Sequence, residues 1–267
     1  MRQQNNQVMD SFSRRNGLKR PDAEISIRYE APDELRDAVI AIAYKCGLKP
    51  TGLRQTLCEI LYRSPDSNNW SESNVDGEVH QLIGDCEWFE VYDLVELLAE
   101  QYDRRGIDFA GEINRMFRIK GVGWQLVGSR LEMRGPEAFE QAVKEGRELL
   151  VQRGNSTAAN ELHEAILDLS RRPNPEVSGA IQHAMAALEC VARDVCGSKD
   201  TLGDLLRRNP DLFPKPVNQI VDKAWGYTSN FGRHLTEGNQ PAFDEAELMV
   251  GLSGVLSRYL TRRFPRS

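Results

Sequence analysis

Apolar residues recur at three- and four-residue spacing along much of the chain, which is the pattern of helices with one buried face. This spacing predicts helices over 34–44 and 53–62, with Asp33 placed to cap the first of them. The polar stretch 64–74 has the composition of a loop. A third helical region follows that loop and runs through 88–98.

Two segments alternate with a period of two, which is typical of strands. Residues 24–30 show a brief strand pattern that stops before Pro32, and residues 116–134 predict a small antiparallel ribbon with a turn at Gly128. The glycines of the second segment fit turns rather than a phosphate-binding loop, because no Gly-Lys-Ser/Thr sequence follows them. We therefore expect a helical N-terminal half with one ribbon.

The helical pattern resumes at Pro136, continues to about residue 152 and is interrupted by the breaker 154–157. This breaker is the predicted domain boundary, which divides the chain into domains 1–154 and 155–267. The helices predicted beyond it cover 158–170, 176–196, 202–208, a segment after Pro216, and 243–262. Short connections between such helices favour an antiparallel bundle. The predicted fold is mainly α, with a ribbon-bearing helical domain followed by a helical bundle.

The last predicted helix contains the small residues Gly251, Ser253, Gly254 and Ser257. Small residues permit two helices to approach closely. The sequence allows two interpretations of them, tight packing within the chain or the seam of a homodimer.

Charge and composition limit the kinds of function that the protein can have. The chain has 267 residues, 40% hydrophobic content and a net charge of −6. We expect a soluble, cytosolic protein with no membrane partner, because the sequence has neither a run of about 18 apolar residues nor a signal-peptide pattern. The negative charge argues against polyanion binding over the whole surface, but basic clusters at 14–20 and 258–266 leave room for a local site.

The cysteines and histidines predict no metal site and no cofactor. The five cysteines form no Cys-x2-Cys pair, and His163-Glu164 lacks the second histidine of a zinc-binding helix. We expect reduced thiols, with His163 and His183 as ordinary helix residues.

Residues suited to chemistry on RNA are concentrated in the segment Trp225-Gly-Tyr-Thr-Ser-Asn-Phe-Gly-Arg-His234. This segment, His183-Ala-Met-Ala-Ala-Leu-Glu-Cys-Val-Ala-Arg193 and Thr201-Leu-Gly-Asp-Leu-Leu-Arg207 resemble the HEPN proteins of bacterial abortive-infection systems. The resemblance covers about residues 155–263. The segments Phe12-Ser-Arg-Arg-Asn-Gly-Leu18 and Pro32-Asp-Glu-Leu-Arg-Asp-Ala38 resemble the AbiJ-type N-terminal domain that is often joined to such modules.

The HEPN resemblance implies a helical bundle that dimerises and cuts RNA without a metal, in a cleft shared by both subunits. It assigns His234 as the general acid or base and Asn230, four residues earlier, as an orienting group. Ser229 stands where the family's arginine is expected, so the phosphate-binding role falls to the neighbouring Arg233. Glu189 matches the helix that supplies an acidic residue to the cleft.

Three further side chains are predicted to contact RNA, namely Arg193, Trp225 and Tyr227. Aromatic rings stack on bases in single-strand binders, but they also anchor a helix in its own core. Glu189 and Arg193 are four residues apart, which is equally the spacing of a helix ion pair.

Three functions remain open at this stage. The first is a metal-independent endoribonuclease that acts as a toxin or effector in abortive infection and anti-phage defence. The second is a catalytically degenerate HEPN protein that binds RNA or a protein partner, and the third is a structural dimeric adaptor. The expected partners are RNA, a second copy of the chain, and a neutralising or triggering protein.

Overall fold

The computed structural model describes residues 16, 18, 21–232 and 240–265, apart from the side chains of 229–232. The structure is 67% helix, and the one sheet in the described part is a two-stranded antiparallel ribbon. The predicted mainly α fold class is therefore confirmed. The helices are α1 Asp33–Lys45, α2 Pro50–Ile60, α3 Glu72–Asp85, α4 Trp88–Asp103, α5 Phe109–Lys120, α6 Glu137–Gln152, α7 Ser156–Ser170, α8 Val177–Cys196, α9 Leu202–Arg208, α10 Val217–Gly232 and α11 Phe243–Arg263. The strands are β1 Trp124–Val127 and β2 Arg130–Met133.

The chain forms two compact units, Met1–Arg134 and Gly135–Ser267. The first contains α1 to α5 and the ribbon. The second contains α6 to α11, because α6 packs against α7 and α11. The domain boundary predicted after residue 154 lies just beyond the end of α6.

The core of the first unit surrounds α4. Its predicted apolar stripe is buried at Val91, Val95 and Leu98, as the helical spacing requires. Tyr102 stacks on Phe109 with ring centroids 4.9 Å apart. The Tyr102 hydroxyl donates to the backbone carbonyl of residue 43 at 2.7 Å, so this buried polar atom is satisfied.

Two details of the first helices were predicted wrongly. The third helical region is two helices, α3 and α4, and α3 starts at Glu72 inside the predicted loop because the Ser71 hydroxyl accepts the N–H of Asn74 at 3.2 Å. Asp33 lies in the first turn of α1 rather than at its cap, a position held by Pro32 without a side-chain hydrogen bond. An acidic residue in a first turn still interacts favourably with the helix dipole.

The ribbon is real but shorter than predicted. Its strands pair antiparallel with Trp124 opposite Met133, whereas residues 116–120 belong to α5. The alternation at Phe117 resembles a strand, but four buried side chains recur at helical spacing in this segment, namely Phe109, Ile113, Met116 and Phe117. Gly121 then ends the helix with a φ of 68°, which suits glycine.

The strand pattern at 24–30 reduces to a single parallel bridge between Ile27 and Val122. The N–H groups of Ser26 and Ile27 both donate to the carbonyl of Gly121, at 2.9 and 3.1 Å. A Cβ at Gly121 would collide with the carbonyl of Glu24. Residues 24–30 therefore hydrogen-bond to the connection between α5 and the ribbon without forming a full strand.

The second unit is organised around α8, which packs against α7, α9, α10 and α11. Its middle is apolar and fully buried at Ala184, Met185 and Leu188. Gly197 ends α8 in the left-handed conformation, with a φ of 60°. Within the described ranges, no helix has the length and apolar character needed to cross a membrane.

The small residues of α11 are used within the chain. A Cβ at Gly254 would lie 2.9 Å from the carbonyl oxygen of Ala142, and a Cβ at Gly146 would lie 2.8 Å from the carbonyl oxygen of Gly254. The buried Ser253 hydroxyl donates to the carbonyl of Ala184. Tight packing of α11 on α6 and α8 is confirmed, and the homodimer stays a prediction.

Candidate functional site

The predicted RNA site is centred on α10. Trp225, Tyr227 and Asn230 lie on this helix, which the structure describes through Gly232. The predicted catalytic residues Arg233 and His234 lie outside the described residues. The side chain of Asn230 is also outside them, so the described part of the site consists of Glu189, Arg193, Trp225 and Tyr227.

Glu189 on α8 supports the start of α9. Its carboxylate accepts the N–H of Leu202, the first residue of α9, at 2.8 Å and pairs with the Arg193 guanidinium at 2.6 Å. The Glu189 side chain is 13% exposed. A carboxylate at a helix N-terminus satisfies a backbone donor and interacts favourably with the helix dipole. Glu189 therefore has a structural role that the i,i+4 spacing alone did not reveal.

Arg193 fixes the connection between α8 and α9. Its Nε donates to the carbonyl of Asp200 at 2.8 Å while a terminal nitrogen pairs with Glu189. The side chain is 37% exposed, so part of the guanidinium faces solvent. The predicted ion pair of Glu189 and Arg193 is confirmed, and it belongs to the network that orients α9.

Trp225 is half-buried beside the first turn of α9. A Cβ at Gly203 would lie 3.1 Å from the indole nitrogen, so glycine permits this close approach. Two residues in the first turn of α9 thus make these contacts: Leu202 binds Glu189, and Gly203 lies against Trp225. The structure brings three of the predicted residues, Glu189, Arg193 and Trp225, around one helix start.

Tyr227 points to a different neighbour. Its hydroxyl donates to Glu245 in the first turn of α11 at 2.9 Å, and Glu245 also accepts the N–H of Ala242 at 2.8 Å. Burial, followed by the hydrogen bond to Glu245, raises the pKa of Tyr227 to about 12. The phenol is therefore neutral at physiological pH and acts as a hydrogen-bond donor joining α10 to α11.

An alanine at position 189 is expected to destabilise the second unit by about 1–3 kcal/mol, because a buried N–H and a partly buried guanidinium lose their acceptor. Chemical denaturation of the purified variant measures this change. The matched control is Glu100→Ala, since Glu100 forms an exposed i,i+4 pair with Arg104 that should contribute less than about 0.5 kcal/mol. Equal losses in the two variants would contradict the capping role.

A cluster that the sequence did not reveal joins α7 to α8. The His183 Nδ1 lies 2.7 Å from Glu161, and its Nε2 lies 3.7 Å from the buried carboxylate of Asp168. Arg171 binds the other oxygen of Asp168 at 2.9 Å. Burial raises the pKa of Asp168, and Arg171 and His183 oppose that shift.

The interpretation of His183 as an ordinary helix residue stays a prediction, and the structure adds its contacts with Glu161 and Asp168. Its imidazole is partly exposed and lies between the carboxylates of Glu161 and Asp168. No sequence signal marked this cluster, because Glu161 and His183 are 22 residues apart and meet only when α7 packs on α8. Among the described residues, no group of three or more His, Cys, Asp or Glu side chains could hold a metal ion.

The fold and these contacts define a two-unit helical protein with a small ribbon in its first unit. The family model of AbiJ N-terminal domain 4 matches residues 10–148, and the chain belongs to this family. The predicted AbiJ-like N-terminal domain is thereby confirmed. The match extends into α6, whereas the compact units divide at residue 134, so the boundary predicted after residue 154 stays a prediction.

The other two comparisons add no relative. No curated protein and no solved structure matches the chain. The HEPN character of the second unit therefore stays a prediction.

Proposed function

We propose that this protein is an abortive-infection defence protein whose C-terminal unit acts on RNA as a metal-independent endoribonuclease of the HEPN type. Membership of the AbiJ N-terminal domain family supports the defence role. The all-helical second unit supports the HEPN assignment, since α6 to α11 form a compact bundle. The second unit is proposed to assemble as a homodimer.

One observation carries the assignment of the site. Helix α10 is described through Asn230 to Gly232, so the segment that resembles the HEPN motif begins on a regular helix, and Arg233 and His234 follow Gly232 in the sequence. Asn230 lies within the described part of this helix. A rigid helix is a suitable support for groups that must meet a phosphate with accurate geometry.

The proposed chemistry requires three roles. His234 exchanges the proton of the attacking 2′-hydroxyl or of the leaving oxygen, because an imidazole titrates near neutral pH. Arg233 neutralises charge that develops on the phosphate, and Asn230 orients the reacting groups. Trp225 and Tyr227 contact bases or the sugar-phosphate chain.

The resemblance implied that Glu189 supplies an acidic group to the cleft, and this proposal gives Glu189 a different role. Its carboxylate is bound by the N–H of Leu202 and by Arg193, so it acts as a positioning residue for α9 and, through Gly203, for Trp225. Arg193 retains partial exposure and can contact RNA from the same position.

A second function is favoured by a specific observation. Glu189 and Arg193 are already engaged within the chain, and Ser229 occupies the position of the family's arginine. These features suit a degenerate HEPN protein that binds RNA or a triggering or neutralising protein without cutting RNA. A structural dimeric adaptor would require neither His234 nor Arg233.

Tightly induced expression of the wild type and of His234→Ala in cells tests the proposal. We expect the wild type to arrest growth and fragment total RNA, and the variant to do neither, since loss of a general acid or base lowers rates by about 10²- to 10⁴-fold. His80→Ala is the matched control, because His80 is an exposed histidine of α3 near Asp37. Growth arrest with intact RNA would favour the binding function, and equal effects of both variants would contradict a catalytic His234.

A further inference from the structure

Tyr62 is a residue that the fold of the first unit does not explain. It follows α2 and adopts a φ of 52°, a left-handed conformation that suits glycine and disfavours a residue with a Cβ. The turn is the usual end of a helix, with the N–H of Arg63 donating to the carbonyl of Cys58 at 2.9 Å. The Tyr62 side chain is 98% exposed, so packing does not compensate for the unfavourable backbone.

Trp70 is a second large aromatic residue with little structural use. It is 86% exposed, although tryptophan is highly buried on average. It immediately precedes Ser71, the cap of α3. Tyr62 and Trp70 therefore bracket one connection between α2 and α3, and we call residues 62–70 the aromatic loop.

The aromatic loop is held in place by an ion pair beneath it. Arg54 and Glu78 pair at 2.9 Å, and their side chains are 16% and 9% exposed. Arg54 also donates to the carbonyl of Asn69 at 3.0 Å, while Glu78 accepts the backbone N–H of Asp66 at 2.8 Å. The side-chain amide of Asn69 donates to Glu78 at 3.1 Å. A loop fixed in this way presents its aromatic residues at a low entropic cost of binding.

Three acidic residues lie close to the two aromatic residues in the sequence. Glu59, Asp66 and Glu72 are exposed. The nearby Arg63 is paired with Asp85 at 2.7 Å, which offsets its charge. Aromatic faces and carboxylates both attract cations, and guanidinium groups also stack on tyrosine and tryptophan. The same carboxylates repel the phosphates of a nucleic acid.

We propose that the aromatic loop is a docking surface for a basic polypeptide segment, in which arginine side chains stack on Tyr62 and Trp70 and pair with the nearby carboxylates. We take the partner to be another protein, because the nearby carboxylates repel the phosphates of RNA. This surface lies in the family-matched N-terminal region and is independent of the RNA chemistry proposed for the second unit. It gives the N-terminal domain a binding role of its own.

The test uses the full-length protein, a labelled octa-arginine peptide, an octa-glutamate peptide and a single-stranded RNA oligonucleotide, with binding followed by fluorescence anisotropy. We expect the arginine peptide alone to bind this surface. Its affinity should fall about tenfold in the Tyr62→Ala/Trp70→Ala protein, as expected for the loss of two cation–π contacts. Phe89→Ala, which removes an exposed aromatic residue of α4, should leave the affinity unchanged.

Tyr62→Gly provides a folding check, because glycine accepts the left-handed conformation. We expect this variant to unfold at a higher temperature than the wild type and still to bind the peptide more weakly. Equal arginine-peptide affinity in the wild type and the double variant would overturn the proposal. RNA binding lost in the double variant would assign the surface to nucleic acid, and a dimer-to-monomer shift in sedimentation would assign it to a second copy; either result overturns the proposal.

Discussion

A leucine at position 254 is expected to prevent the second unit from folding stably. The α11 backbone at Gly254 lies against the α6 backbone, and even a Cβ would come within 2.9 Å of the carbonyl oxygen of Ala142. Backbone atoms of two packed helices cannot move aside as the end of a flexible side chain can. Overpacking of a dense core typically costs about 1–3 kcal/mol, and we expect Gly254→Leu to exceed about 3 kcal/mol because the whole α6–α11 contact must open.

Denaturant unfolding followed by circular dichroism measures this effect. Gly226→Ala is the matched control, since Gly226 is a helical glycine of the same unit and a Cβ there would meet nothing within 4 Å. We expect that control to gain about 0.5–1 kcal/mol from the better helix propensity of alanine. A Gly254→Leu protein with wild-type stability would show that α6 and α11 do not pack as closely as described.

Replacement of Glu78 by glutamine is expected to destabilise the first unit by about 3 kcal/mol. The carboxylate of Glu78 is largely buried, pairs with Arg54 and accepts hydrogen bonds from Asp66 and Asn69. Removal of one charge leaves the half-buried Arg54 without its counter-ion, which is the costly way to break a buried pair. Asp85→Asn is the control, because its pair with Arg63 is exposed and contributes less than about 1 kcal/mol.

The stability that Glu78 provides should also depend on pH. Burial opposes its ionisation, but the hydrogen bonds from Asp66, Arg54 and Asn69 outweigh burial and lower the pKa of Glu78 below its ordinary value of 4.5. A lowered pKa means that the stabilisation is complete above about pH 4.5 and is lost as the pH falls through the folded-state value. Unfolding of the wild type and of Glu78→Gln at pH 7 and pH 3 should therefore show a smaller difference at pH 3. A constant difference would contradict this source of stability.

The sequence predicted the second unit more accurately than the first. Helix α9 was predicted with its observed bounds, and α10 and α11 with their observed starts, because capping and helix-breaking residues mark them. In the first unit, α5 was missed because Phe117 and Ile119 alternate with basic residues. That local pattern suits a strand, and only the packing of Ile113 and Phe117 in the core identifies the segment as a helix.

The candidate site was predictable only in part. Sequence spacing placed Glu189 and Arg193 together, and the structure confirms that contact. The bond from Leu202 to Glu189 depends on the turn between α8 and α9, which no pattern of residue types specifies. The contact of Glu161 with His183 similarly depends on how α7 packs on α8. Such contacts join residues that are distant in the sequence, so they follow from tertiary packing rather than from local propensity.

Cleavage of a labelled single-stranded RNA by the purified full-length protein in the presence of EDTA tests the proposed function most directly. The reactions compare the wild type, His234→Ala and the control His80→Ala. A DNA strand of the same sequence serves as the control substrate, because DNA lacks the 2′-hydroxyl groups. We expect the wild type and His80→Ala to cut the RNA despite the chelator, to leave the DNA intact, and to exceed the rate of His234→Ala by at least about 100-fold. Cleavage that EDTA abolishes, or that His234→Ala retains in full, would contradict a metal-independent endoribonuclease centred on His234.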